Sequence, residues 1–132
     1  MAKKESKAHP HGELIQGIYE QLKKVLEESK QAIYVYYDDN HKICNQRFAA
    51  LLGYKSIEEW SAVNEPFTEA FVKEESQEIL VSTYRNTMED KTGSEIEVSW
   101  KKKTGESVKT KVIMVPISYN GELFALHFIS KK

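Results

Sequence analysis

The sequence predicts an α+β domain, and three observations carry that expectation. Apolar residues near the N-terminus recur at helical spacing, two short runs rich in β-branched and aromatic residues follow, and the last third alternates apolar with polar residues. Between the strand runs lie residues that cap and stop helices. The predicted order is helix, two strands, three helices, three strands.

From Gly12 to Lys30, Ile15, Ile18, Leu22 and Val25 recur at alternating spacings of three and four, flanked by Leu14, Tyr19 and Leu26. Glu20, four residues before Lys24, supports the same helix. The a/d-like stripe suits packing on the domain and pairing with a second copy. Residues 1–12 are polar, carry a His-Pro-His step and lack periodicity, the pattern of a mobile tail. The expected division is a tail over 1–12, an amphipathic dimerisation helix over 13–31 and a core over 32–132.

Ala32 to Tyr37 reads as a strand, Asp38, Asp39 and Asn40 as a turn, and Lys42 to Cys44 as a second strand. Asn45 caps a helix whose apolar face is Phe48, Leu51 and Leu52, and Gly53 stops it where a left-handed backbone is needed. Ser56 with Glu59 three residues on forms a capping box for a short helix to Trp60. A longer helix, Glu74 to Asp90, bears Ile79, Leu80, Tyr84 and Met88, with Thr92-Gly93 at its end. Ile96, Val98 and Trp100 alternate with Glu95, Glu97 and Ser99. Strands over Ser107–Ile117 and Glu122–Ser130 are joined by Asn120-Gly121, a strong hairpin signal.

Composition bounds the function. A chain of 132 residues has room for one core. The formal net charge of −1 gives no pull toward nucleic acid or an acidic membrane surface. No apolar run approaches the ~20 residues that span a bilayer, and the lysine-bearing start has no apolar stretch behind it. A single cysteine forms no internal disulfide. Together these read as a cytoplasmic, soluble, single-domain protein.

Asn45-x-x-Phe48, followed by Leu52-Gly53-Tyr54 and Ser56-Ile57-Glu58-Glu59, resembles the N-x-x-F…G-Y-x-x-x-E passage of the PAS domain family. Lys103-Thr104-Gly105-Glu106 is similar to that family's basic-x-Gly turn, and Asn120-Gly121 occupies the final hairpin. The resemblance runs from about Ala32 to Ser130. It implies a five-stranded antiparallel sheet with short helices on one face and a pocket between them. It also implies a sensory or dimerisation module acting on an effector, and no effector follows Ser130-Lys131-Lys132 in this sequence.

In the first and last strands both faces are apolar: Ile33, Val35 and Tyr37 against Tyr34 and Tyr36, and Leu123, Ala125 and Ile129 against Phe124, Leu126 and Phe128. A sheet open on one side would alternate with polar residues, so the N-terminal helix is expected to cover the second face, alongside a partner copy. The candidate dimer surface is Ile15, Ile18, Leu22 and Val25 with Tyr34 and Tyr36. The candidate ligand pocket is Phe48, Leu52, Leu80, Tyr84, Val98, Trp100, Leu126 and Phe128, with the Tyr84 hydroxyl and Trp100 indole as polar handles.

Reactive chemistry has little support. Flavin-type light-sensing PAS proteins carry Asn-Cys-Arg-Phe-Leu-Gln on a helix after the Gly-Tyr passage; here Cys44 precedes it and the later region 63–73 has no cysteine. Haem-binding members take a histidine from the long helix, which here has none. His9, His11, His41 and His127 do not converge as ligands would, and His127 is expected against the N-terminal helix. Asp38-Asp39 suits a turn and Glu58-Glu59 a helix's first turn. Lys101, Lys102, Lys103, Lys109 and Lys111 guard strand edges. No phosphate loop, nucleophile elbow or metal motif is present. The expectation is a ligand- or partner-binding PAS sensor acting as a homodimer, with a separate effector protein possible and no metal assigned. A structural interaction domain with a filled core is the alternative, and an enzyme using the pocket the remote one.

Overall fold

The structure, a computed structural model, describes residues 11–132; the expected tail lies outside them apart from His11 and Gly12, which open the first helix. The elements are α1 (His11–Glu28), β1 (Ala32–Asp38), β2 (His41–Cys44), α2 (Gln46–Leu51), α3 (Ile57–Ser61), α4 (Phe67–Phe71), α5 (Glu74–Asp90), β3 (Ser94–Lys101), β4 (Ser107–Tyr119) and β5 (Glu122–Lys131). The expected strands and long helix are present. The correction is α4: the segment after Pro66 makes a helical turn of its own, giving four helices between β2 and β3 where three were expected.

The five strands form one antiparallel sheet in the order β2-β1-β5-β4-β3. The first and last strands of the chain lie side by side near its middle. Their side chains alternate between two cores. Ala32, Tyr34, Ala125 and Ile129 join Phe48, Leu52, Trp60, Phe71, Val98 and Trp100 on the inner face, beneath the helices between β2 and β3. Ile33, Val35, Phe124 and Leu126 meet Leu14, Ile18 and Leu26 of α1 on the outer face. Burial of these three α1 side chains is worth about 2 kcal/mol each, which fixes α1 on its own sheet. Gly17 allows a close approach there, because a Cβ would overlap the Tyr119 ring.

Local chemistry sets the chain reversals. The Asp38 carboxylate accepts from the Asn40 amide at 3.0 Å in the β1–β2 turn. Gly53, at φ 85°, closes α2 as its sequence position requires. Asn120 and Gly121, at φ 51° and 79°, form the β4–β5 hairpin. The end of α5 differs from expectation: Lys91 itself takes the left-handed conformation at φ 57°, before Gly93 is reached.

Asn45 is the principal local anchor. Its Oδ1 accepts from the Phe48 amide and from the Ile33 amide, each at 3.0 Å, and its Nδ2 donates to the Gln31 carbonyl at 2.9 Å. One buried amide therefore caps α2 and ties it to the start of β1. Asn45→Ala is expected to lower unfolding stability by about 2–4 kcal/mol, measured as a shifted denaturant midpoint at unchanged slope.

Candidate functional site

A cavity of about 280 Å³ opens on the inner side of the sheet. Tyr34 and Tyr36 of β1, Asp39 of the following turn and His127 of β5 form one side; Pro66, Phe67, Thr68, Leu80, Val81 and Tyr84, from the start of α4 and from α5, form the other.

Its walls are aromatic. The Tyr34 ring stacks on His127 at 3.9 Å and an interplanar angle of 8°, and on Phe67 at 5.3 Å. Tyr36 stands at 90° to Tyr84 with centroids 5.4 Å apart, and at 73° to Phe67 at 5.3 Å. Its hydroxyl donates to Asp39 Oδ1 at 2.9 Å, and the same oxygen accepts from the Phe67 amide at 3.1 Å. This one carboxylate joins the β1–β2 turn to the first residue of α4.

Burial raises the pKa of Tyr34, Tyr36 and Tyr84, with the hydrogen bond to Asp39 reinforcing it at Tyr36, so these phenols stay protonated. The hydroxyls of Tyr34 and Tyr84 make no hydrogen bond among the described residues. His127 is 2% exposed, and burial pushes its pKa down to about 3 despite the nearby Ala125 and Tyr34 backbone. Among the described residues Nδ1 has no hydrogen-bond partner. The imidazole is therefore neutral, with one unsatisfied nitrogen.

The structure divides the expected pocket residues. Leu80 and Tyr84 line the cavity. Phe48, Leu52, Val98 and Trp100 lie in the inner core behind it. Leu126 and Phe128 are on the opposite face, with α1, because side chains on a strand alternate and the inner residues of β5 are Ala125, His127 and Ile129. The Trp100 indole is also no free handle: Nε1 donates to Thr110 Oγ1 at 2.8 Å, which donates to the Val98 carbonyl at 3.0 Å.

The same alternation corrects two dimer residues. Tyr34, 1% exposed, and Tyr36 face the inner side. His127, expected against α1, stacks on Tyr34 instead. On α1, Ile18 is buried within its own domain and Ile15 and Leu22 partly so, while Val25 is 49% exposed. The overlooked residues include Tyr34, Tyr36, Phe67, Asp39 and His127. A readable signal existed: the two-residue Asn120-Gly121 hairpin pairs Ile113 with Phe128 and Val115 with Leu126. Lys109 and Lys111, four and two residues before Ile113, mark that face as the outer one.

Cys44 is buried, with its pKa pushed up to about 12 by desolvation, an inert thiol. Among the described residues no three His, Cys, Asp or Glu side chains converge as a metal site would require, and no helix is long and apolar enough to cross a membrane.

No protein-family model matches the sequence, and no curated protein matches it. Solved structures do match in fold. The PAS domain of a protein from Colwellia psychrerythraea has a TM-score of 0.68 at 23% identity, covering 87% of this chain and 97% of that one. The PAS domain of an HTR-like protein from Haloarcula marismortui has a TM-score of 0.65 at 20% identity, covering 89% and 94%. A PAS domain from a two-component sensor histidine kinase has a TM-score of 0.65 at 9% identity, covering 89% and 98%. The chain has a PAS fold.

The neutral His127 makes a pH prediction. An imidazole near pKa 3 in the fold and near 6.5 when unfolded costs nothing above pH 6.5. Below that the unfolded chain binds the extra proton, so stability falls as pH drops toward the folded value. His127→Leu is expected to remove this component, on the order of 3 kcal/mol at pH 4. Urea unfolding of both proteins at pH 7 and pH 4 checks it; equal losses on acidification would contradict it.

Proposed function

We propose that the chain is a cytoplasmic sensory or signalling module that binds a small molecule in the inner cavity. Its output passes through α1, to a second copy of the chain or to a separate effector protein. The observation that carries this reading is the double duty of β1 and β5. Tyr34 and His127 border the cavity, and the residues next to them, Ile33, Val35, Leu126 and Phe128, pack in the cluster beneath α1. A guest that displaces the Tyr34–His127 stack moves the backbone that carries α1, because densely packed interiors transmit such shifts. The fold shared with a PAS domain from a sensor histidine kinase supports the same reading.

The dimer surface of this proposal is the solvent side of α1 and the neighbouring sheet left beside it. Val25 and Ile113 are its apolar exposed residues, at 49% and 41%. Ile15, Leu22 and Phe128 lie part-buried nearer the domain. Ile18 is unsuited as a test, because charge there would unfold the domain rather than separate copies.

Native mass spectrometry of the purified chain is expected to show a dimer carrying added small-molecule mass. An apo mass that stays unchanged on exposure to a metabolite extract would favour a structural domain without a ligand. Val25→Asp combined with Ile113→Asp is expected to yield folded monomers in sedimentation, and an unchanged mass distribution would overturn the dimer surface.

A further inference from the structure

We infer that the inner cavity takes a small organic ammonium ion, an inference that rests on reading this cavity as a ligand site. Four features of the lining select that class. Tyr36, Tyr84 and Phe67 are set near right angles around Tyr36, at 90° and 73°, so ring faces are offered in more than one direction. A cation gains from the negative face of such rings, while an anion does not. The lining carries one ionisable carboxylate, Asp39, and no lysine or arginine. Asp39 Oδ1 is used by Tyr36 and Phe67, and Oδ2 has no hydrogen bond among the described residues.

The remaining polar atoms suit a guest that donates hydrogen bonds. The His127 imidazole on the cavity wall is neutral and adds no positive charge there. The Tyr34 and Tyr84 hydroxyls make no hydrogen bond among the described residues. An ammonium N–H can donate to either phenol oxygen. Two cations lie outside the lining, and the nearer, Lys42, interacts electrostatically with Asp39. Lys42 Nζ donates to the Asp39 and Val63 carbonyls at 2.9 and 3.4 Å and sits over the Trp60 ring, and Arg85 lines a separate groove beside Tyr84. The apolar walls of Leu80, Val81 and Pro66 leave room for a compact hydrocarbon body.

The test uses three probes of matched shape, 2-phenylethylammonium, 2-phenylethanol and 3-phenylpropanoate, titrated into the full chain with amide and side-chain NMR shifts as the readout. The ammonium is expected to bind, with shifts at Asp39, Tyr84 and His127, at least about tenfold tighter than the alcohol, and the carboxylate is expected not to bind. Asp39→Asn keeps the Oδ1 acceptor for Tyr36 and Phe67 and removes the charge, so the fold is retained. It should weaken the ammonium about tenfold and leave the alcohol unchanged. Tyr84→Leu should weaken the ammonium more than the alcohol. Tighter binding of the alcohol or the carboxylate, or no effect of Asp39→Asn, would overturn the ammonium assignment while leaving a ligand cavity in place. Absence of binding by all three probes would overturn the assignment too, and the co-purification measurement then decides separately whether the cavity binds anything.

Discussion

Two strands, β1 and β5, must satisfy two cores at once, and the rest of the architecture follows from that constraint. A strand offers alternate residues to opposite sides, and here neither side is polar. The inner residues, Tyr34 and His127 among them, need the helices between β2 and β3 above them, and the outer residues need α1. Remove either cover and a row of aliphatic and aromatic side chains meets water. That is why the two strands lie side by side near the middle of the sheet and why α1 is part of the domain.

Polar groups then decide how the covers attach. Asn45 fixes the first inner helix to the start of β1 through three hydrogen bonds. Asp39 holds the first residue of α4 and the Tyr36 hydroxyl with one oxygen. The Ser76 hydroxyl accepts from the Ser99 amide at 2.9 Å, joining α5 to the far edge strand. Each of these anchors is a hydrogen bond of 3.1 Å or less, whereas between α5 and β1 the Tyr84 and Tyr36 rings meet edge-on with centroids 5.4 Å apart. The cavity lies there, bordered by rings and by an imidazole whose nitrogen is unsatisfied. Among the described residues two buried side-chain nitrogens lack a partner, Trp60 Nε1 and His127 Nδ1, and of the two residues His127 borders the cavity.

The element order and most turn chemistry could be read from the sequence because each rests on local signals. Asn45, Gly53, Ser56 with Glu59, and Asn120-Gly121 act within a few residues of themselves. The helix over Phe67–Phe71 has no side-chain cap and is one turn long, so nothing local announced it. Facing was harder. With apolar residues on both sides of β1 and β5, periodicity alone does not say which side is inner, and Tyr34, Tyr36, Leu126 and Phe128 lie on the side opposite to the expected one. The lysines of β4 and the tight hairpin contained that answer, but only through register carried across to the next strand. Half of the site is long-range in this sense: Asp39 meets Phe67 across 28 residues, and Tyr34 meets His127 across the β1–β5 pairing.

In the proposed mechanism the inner cavity and α1 communicate through β1 and β5. Amide hydrogen exchange along α1, taken relative to β3, tests it most directly in two variants that each enlarge the inner cavity. His127→Ala opens the void in the sheet itself, and Leu80→Ala opens it from α5. Coupling through the sheet predicts that α1 protection changes in the first and stays level in the second. Equal change in both, or none in either, would contradict it.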